Sequence, residues 1–139
     1  MDVRTVAVIG AGTMGAGIAQ VCAQSGWETR LYDAFPDGLA KGMTVIDAFW
    51  DKGIERGKTS PEQKSEWSGN LHAASDMAAA VAGVDLVIEA APENMDLKQG
   101  IFAELERLAP SHAVLATNTS SLPISEIASA TGCAERIIG

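Results

Sequence analysis

Four apolar residues, Val6-Ala7-Val8-Ile9, run straight into Gly10-Ala11-Gly12-Thr13-Met14-Gly15, and a helical pattern follows from Thr13 to Gln24. In a chain with 14 glycines a G-x-G-x-x-G hexapeptide alone is a weak signal. Between a buried strand and a helix, each glycine gains a task. The first permits the tight turn, the second lets backbone approach a pyrophosphate, and the third lets helix and strand pack closely. The helix N-terminus adds unpaired N–H groups and a partial positive charge. The competing reading is a tight strand-to-helix turn that holds no ligand.

Asp33 ends the next strand, Glu28 to Tyr32, eighteen residues after Gly15. An acid there accepts the ribose hydroxyls of an adenosine and repels a 2′-phosphate, or else caps a helix. No arginine occurs in Ala34-Phe35-Pro36, so NAD is favoured over NADP.

Further along, short apolar runs alternate with helical patterns, as in a parallel sheet covered by helices. Val84 to Ile88 and Ala113 to Ala116 read as buried strands. Between them Leu97, Ile101, Leu105 and Leu108 share one helix face. From Asp37 to about Asn70 the pattern changes. Leu39, Met43, Ile46, Trp50 and Ile54 mark a long amphipathic helix, and Ser60-Pro61-Glu62-Gln63 supplies an N-cap, a first-position proline and a capping-box glutamine. The expected architecture is α/β: a Rossmann-type doubly wound, mostly parallel sheet with a helical hairpin inserted after strand 2. That hairpin either reaches a ligand or merely covers sheet and makes a dimer contact. A short helix from Pro123 to about Thr131 and a final strand beginning at Arg136 complete the pattern.

A second polar constellation sits at strand ends. Glu89-Ala90-Ala91-Pro92-Glu93 leaves one strand for the helix carrying Lys98, and Thr117-Asn118-Thr119-Ser120-Ser121 leaves the next. Ligands of open α/β sheets bind beyond the carboxyl ends of the strands, so both loops should face the nicotinamide half of the cofactor. Ser120, Ser121 and Asn118 offer hydrogen bonds to a substrate oxygen or a carboxamide; the alternative is a turn capping the Pro123 helix. Taken alone, Glu93 reads as a helix-start acid and Lys98 as a surface lysine.

Composition narrows the partners. Eighteen acidic against ten basic residues give a net charge of −8, which disfavours nucleic acid and anionic membrane surfaces. Lys41, Lys52, Arg56, Lys58 and Lys64 do cluster, but Asp47, Asp51, Glu55 and Glu62 interleave them, as on a solvated helical face. Glycines interrupt the apolar N-terminal stretch, and no later run is long enough to span a bilayer. Cys22 and Cys133 form no CxxC pair, so no structural zinc or disulfide framework is expected, and the protein is placed in the cytoplasm.

Three blocks carry a family resemblance: Val6 to Gln20 around the glycine turn, Val87-Ile88-Glu89-Ala90-Ala91-Pro92-Glu93-Asn94, and Ala116 to Ala128 with its Asn118-Thr119-Ser120-Ser121-Leu122 core. The chain resembles the NAD-binding domain of the L-3-hydroxyacyl-CoA dehydrogenase family, with 3-hydroxybutyryl-CoA dehydrogenases as the nearest type. The resemblance implies hydride transfer between NAD and the C3 hydroxyl of an L-3-hydroxyacyl-CoA, as in fatty-acid β-oxidation or butanoyl-CoA metabolism. It puts the pyrophosphate on Gly10, Gly12, Thr13, Met14 and Gly15, the ribose on Asp33, and the nicotinamide side on Ala90, Glu93, Lys98 and Ser120. Ser120 would also bond the substrate's reacting oxygen, with Asn118 a second candidate.

The same resemblance gives the hairpin a share in holding CoA, although Phe49 stands where a polar contact is expected and Arg56 only roughly matches a family lysine. In the family the final strand leads to a block with the catalytic histidine and then to a helical domain. Residues 1–139 are therefore expected to be one NAD-binding domain cut short at its C-terminal end, inactive alone, with a face that its partner domain would cover. His72 and His112 fall at predicted strand starts and read as structural or surface residues. A homodimer is expected for the full-length protein. Dehydrogenases of carnitine or sugar acids, and a non-catalytic NAD(H)-binding module, are the competing readings.

Overall fold

The structure is a computed structural model that describes residues 3–118, 126–127 and 137–138. Six strands form one sheet: β1 (Thr5–Ile9), β2 (Glu28–Tyr32), β3 (Leu71–Ala73), β4 (Leu86–Glu89), β5 (Val114–Thr117) and β6 (Ile137–Ile138). Their order is β3-β2-β1-β4-β5-β6, and every neighbouring pair is parallel. The helices are α1 (Thr13–Gln24), α2 (Pro36–Glu55), α3 (Pro61–Gly69), α4 (Met77–Val81) and α5 (Met95–Leu108). This is the doubly wound Rossmann arrangement with the expected helical hairpin, α2 and α3, after the second strand.

The central strand explains its own apolar run. Val6 and Val8 pack with Ala19, Ile46 and Trp50 from α1 and α2, whereas Ala7 and Ile9 pack with Val81 and Phe102 from α4 and α5. A strand covered on both faces has no polar side to alternate with. The hairpin is fixed locally: Ser60 Oγ accepts from Gln63 N–H at 3.1 Å, and Gln63 Oε1 accepts from Ser60 N–H at 2.9 Å. Lys64 bridges Asp47 at 3.0 Å and Asp51 at 2.6 Å, so the basic cluster is partly spent on tying α3 to α2. Trp50 Nε1 donates to Gln24 Oε1 at 3.0 Å and docks the hairpin on α1.

One expected face is redrawn. Of the α5 residues expected to share a face, Leu105 is buried, but Leu97 is 43% exposed. The face that meets the sheet is Lys98, Phe102 and Leu105. Ile101 and Leu108 are half-buried against the same core, as expected, so only Leu97 leaves that face; Leu97 and Ile101 both border a cleft. Apart from Glu126 and Ile127, the expected helix from Pro123 to Thr131 lies outside the described residues, as do Ser120, Ser121 and Cys133. Cys22 is a free cysteine on the buried face of α1, and burial pushes its thiol pKa up, which keeps it protonated and inert.

The chain leaves β1 toward β2 and β3 on one side and returns to β4 on the other. Loops beyond β1 and β4 therefore part at that point and leave a crevice at the carboxyl ends of the strands.

Candidate functional site

The three glycines of the turn are held to three different standards. Gly10 has φ +111°, and a Cβ there would lie 2.7 Å from the carbonyl oxygen of Ala90. Its N–H donates to the Tyr32 carbonyl at 2.7 Å, so the turn is wedged between the ends of β2 and β4. A Cβ on Gly15 would stand 1.7 Å from the Gly10 carbonyl oxygen, a separation no packing adjustment relieves. Gly12 faces open space, with nothing within 4 Å of its would-be Cβ. It is the N-cap of α1, and no side chain caps that helix, so the end is available to an anion.

A fourth glycine was not legible as part of this site. Gly42 lies within α2, and a Cβ there would come 2.7 Å from the Ala11 carbonyl oxygen. Glycine inside a helix costs about 1 kcal/mol against alanine, so an interior glycine in an amphipathic pattern is itself a signal of close backbone approach.

Asp33 is held by backbone donors on two sides. Its Oδ2 accepts from Ala11 N–H at 2.8 Å and its Oδ1 from Phe35 N–H at 2.9 Å, locking the glycine turn to the start of α2. A carboxylate has about four lone-pair positions, so two backbone bonds leave acceptors over. Asp33 borders a cleft of about 960 Å³. The same cleft is bordered by Gly10, Gly12, Thr13, Met14, Ala90, Glu93 and Asn118, and by Leu97 and Ile101 from α5. It has the size of a small-molecule site. Gly15 stands behind it, and Ser120 lies outside the described residues.

Lys98 is not on the cleft wall, and it is not a surface lysine: its side chain is fully buried. Its Nζ donates to Glu89 Oε1 at 2.8 Å and Oε2 at 2.7 Å, and reaches Glu93 Oε1 at 3.1 Å and the Ala91 carbonyl at 3.3 Å. Glu89, buried as well, also accepts from the Thr117 hydroxyl and from Ala91 N–H, each at 2.6 Å. One carboxylate thus ties the ends of β4 and β5, the loop between β4 and α5, and α5 itself. Among the described residues no buried side-chain polar atom lacks a partner. Glu89 and Thr117 escaped the sequence reading as site residues. The available signal was an acid ending an otherwise apolar strand, since buried charges persist only when paired.

Charge on the cleft wall is one-sided. Asp33, Glu93, Asp96 and Glu104 border it, with no lysine, arginine or histidine among the described lining residues. His112 lies by the opposite ends of the strands, its Nε2 3.0 Å from Asp85 Oδ1, and His72 is exposed on β3. Among the described residues no helix is long and apolar enough to cross a membrane, and no cluster of His, Cys, Asp and Glu could hold a metal ion.

Known proteins match this arrangement. The family model for the 3-hydroxyacyl-CoA dehydrogenase NAD binding domain matches residues 5–139. A probable 3-hydroxybutyryl-CoA dehydrogenase of Bacillus subtilis is 41% identical over all of this chain and 48% of its own length. A 3-hydroxyadipyl-CoA dehydrogenase of Escherichia coli is 41% identical over all of this chain and 29% of its own. The crystal structure of FadB2 from Mycobacterium tuberculosis superposes with a TM-score of 0.94 at 35% identity, covering 99% of this chain and 48% of that one. The chain therefore spans about half the length, or less, of these relatives.

The cytoplasmic placement is overturned by the same comparisons. Relatives whose names carry a compartment are mitochondrial in rat, at 39% identity, and peroxisomal in rice, at 37%. Cysteine usage separates oxidising from reducing surroundings and does not distinguish one reducing compartment from another. With its strand order, its glycine turn and the family match over nearly its whole length, the chain belongs to the NAD-binding-domain family of the 3-hydroxyacyl-CoA dehydrogenases, which are NAD-using oxidoreductases.

Proposed function

We propose that the cleft holds NAD with its adenosine over β1 and β2 and its nicotinamide over β4 and β5. In this reading the protein transfers hydride between NAD and the C3 hydroxyl of an L-3-hydroxyacyl-CoA. The observation that carries it is a single cleft joining Gly12 and Asp33 at one end to Glu93 and Asn118 at the other.

The open face of Gly12 and the uncapped start of α1 take the pyrophosphate, with Gly10, Thr13, Met14 and Gly15 shaping that loop. Asp33 uses its free lone pairs on the adenosine ribose and repels a 2′-phosphate. Ala90 and Glu93 border the nicotinamide, with Lys98 acting from behind through Glu89 and Glu93. When bound, NAD supplies a two-electron hydride acceptor. Ser120, with Asn118 beside it in sequence, donates a hydrogen bond to the reacting oxygen and stabilises charge there. The base that takes the hydroxyl proton is a histidine outside these 139 residues, and residues 1–139 act as the cofactor domain of a longer, homodimeric enzyme. Relatives named for 3-hydroxybutyryl-CoA and 3-hydroxyadipyl-CoA support the acyl-CoA class while differing in the acyl chain.

Asp33→Ala tests the cofactor assignment. NADH binding should weaken at least about tenfold, the size of one lost charged hydrogen-bond set, and preference over NADPH should fall. Unchanged affinity and selectivity would remove the ribose role. Full-length protein should reduce acetoacetyl-CoA; inactivity on every acyl-CoA tried would overturn the substrate class and leave the cofactor reading standing.

A further inference from the structure

We propose that Phe35 and Gly100 form a slot for the adenine base, an inference that rests on Asp33 taking the adenosine ribose. Phe35 covers one face of the base, and the bare backbone at Gly100 makes room for it. At 75%, Phe35 is the most exposed large apolar side chain among the described residues, and it borders the cleft. Its backbone is fixed on both sides. The N–H donates to Asp33 Oδ1 at 2.9 Å, and the carbonyl accepts from Leu39 N–H at 3.1 Å at the start of α2. The carboxylate assigned to the ribose therefore also sets the backbone that carries the ring, and the base is joined to that ribose by a single bond.

Gly100 supplies the second, independent observation. A glycine inside a helix weakens it against alanine and calls for a reason. Gly42 has one in the Ala11 carbonyl, and Gly53 has one in Thr59. Gly100, the single glycine of α5, has none within the protein: nothing lies within 4 Å of its would-be Cβ. It borders the cleft, so the space a side chain would take adjoins the ligand's. Phe35 stands beyond β2 and Gly100 on the helix after β4, on either side of the turn that follows β1. Tyr32, Met77 and Ile101 border the same cleft and pack on the core behind it, so apolar groups surround this end. A flat base stacks on an aromatic ring and needs a wall free of side chains on its other face. Both NAD and CoA carry adenine, but the CoA adenosine also bears a 3′-phosphate. Carboxylates at Asp33 and Glu104 on the cleft wall disfavour that phosphate, so the slot is assigned to the dinucleotide.

The test titrates NADH, ADP-ribose (the adenosine half without nicotinamide) and CoA into the protein. In Phe35→Ala the Kd values of NADH and ADP-ribose should rise roughly five- to twentyfold, the size of one lost base stack, while that of CoA moves less than about twofold. The melting temperature should stay near wild type, because the ring is exposed. Phe35→Trp restores a flat face and should bind ADP-ribose within about threefold of wild type. Gly100→Leu should weaken NADH and ADP-ribose at least about fivefold without lowering the melting temperature, since leucine is the better helix former and meets no protein atom there. A glycine kept only for packing would show the reverse, a lower melting temperature with affinity intact. Unchanged ADP-ribose affinity in Phe35→Ala or in Gly100→Leu would overturn the proposal, as would a loss in Phe35→Trp equal to that in Phe35→Ala. A loss confined to CoA would put the other adenine on Phe35 and overturn it too. Wild type that binds neither NADH nor ADP-ribose would instead overturn the cofactor reading.

Discussion

Asp33 and Asp85 stand at opposite ends of the sheet with nearly the same bonding. Asp33 accepts from two backbone N–H groups, Ala11 at 2.8 Å and Phe35 at 2.9 Å. Asp85 accepts from Arg4 N–H at 2.9 Å and Thr5 N–H at 3.2 Å. The difference lies in the third neighbour. Asp85 meets His112 at 3.0 Å, whereas Asp33 meets the cleft. At the amino ends of the strands, acids are satisfied by the protein's own groups. At the carboxyl ends the clamp on Asp33 leaves acceptor positions facing a cavity, because the loops beyond β1 and β4 part there. A carboxylate that binds its own backbone is therefore no less available to a ligand; what matters is which side of it stays open.

The widest contrast between the two ends should come from removing a side-chain partner at each: Lys98 from Glu89 at the carboxyl end of β4, and His112 from Asp85 at the amino end. Lys98→Met strands the buried Glu89 carboxylate and should cost about 3–5 kcal/mol in denaturant unfolding, with Glu89→Gln added to it recovering part of the loss. His112→Gln leaves Asp85 its two backbone donors and should barely move the midpoint. Equal losses in the two variants would erase the distinction.

The next contrast lies within the glycine turn. Gly15→Ala drives a methyl group into the Gly10 carbonyl and should cost at least about 3 kcal/mol. Gly12→Ala meets open space and should cost no more than about 1 kcal/mol while weakening NADH binding about tenfold. Melting curves and titrations on both variants separate a packing glycine from a ligand-facing one. If Gly12→Ala binds NADH normally, the pyrophosphate does not approach there.

The smallest effect concerns acid. The backbone N–H of Arg4, then His112 and Thr5 N–H, hold the Asp85 carboxyl below its usual range. A depressed folded pKa gives stability that is fully present above the unfolded value, 3.8, and is lost as pH falls through the folded one. The gap in melting temperature between wild type and Asp85→Asn should be present at about pH 5 and close as pH falls below about 4. A gap that persists at lower pH would show that the carboxylate's charge contributes nothing.

Elements with strong local rules were readable in the sequence. Thr13–Gln24 and Glu28–Tyr32 match their expected bounds, and the Ser60 cap forms with its glutamine. Gly10, Gly12 and Asp33 were legible because dinucleotide chemistry fixes both residue type and spacing. The burial of Lys98 was not legible. A single lysine in an amphipathic helix carries no mark of burial, and the acid that neutralises it, Glu89, sits nine positions away on another element. On α5 only Leu97 was misjudged: Ile101, Leu105 and Leu108 pack on the core as their spacing requires, but a leucine can border a cleft as readily as a core, and periodicity does not report what covers it. Gly42 was hidden because its contact, the Ala11 carbonyl, belongs to a loop far away in sequence.

The most direct test follows every backbone amide of the 15N-labelled chain during NADH titration. The account predicts shifts concentrated at Gly10 to Met14, Asp33 to Phe35 and Ala90 to Glu93, with Arg4, Thr5, Asp85 and His112 unmoved. Shifts centred on the amino ends of the strands, or saturation without any change at Gly12 and Asp33, would contradict it.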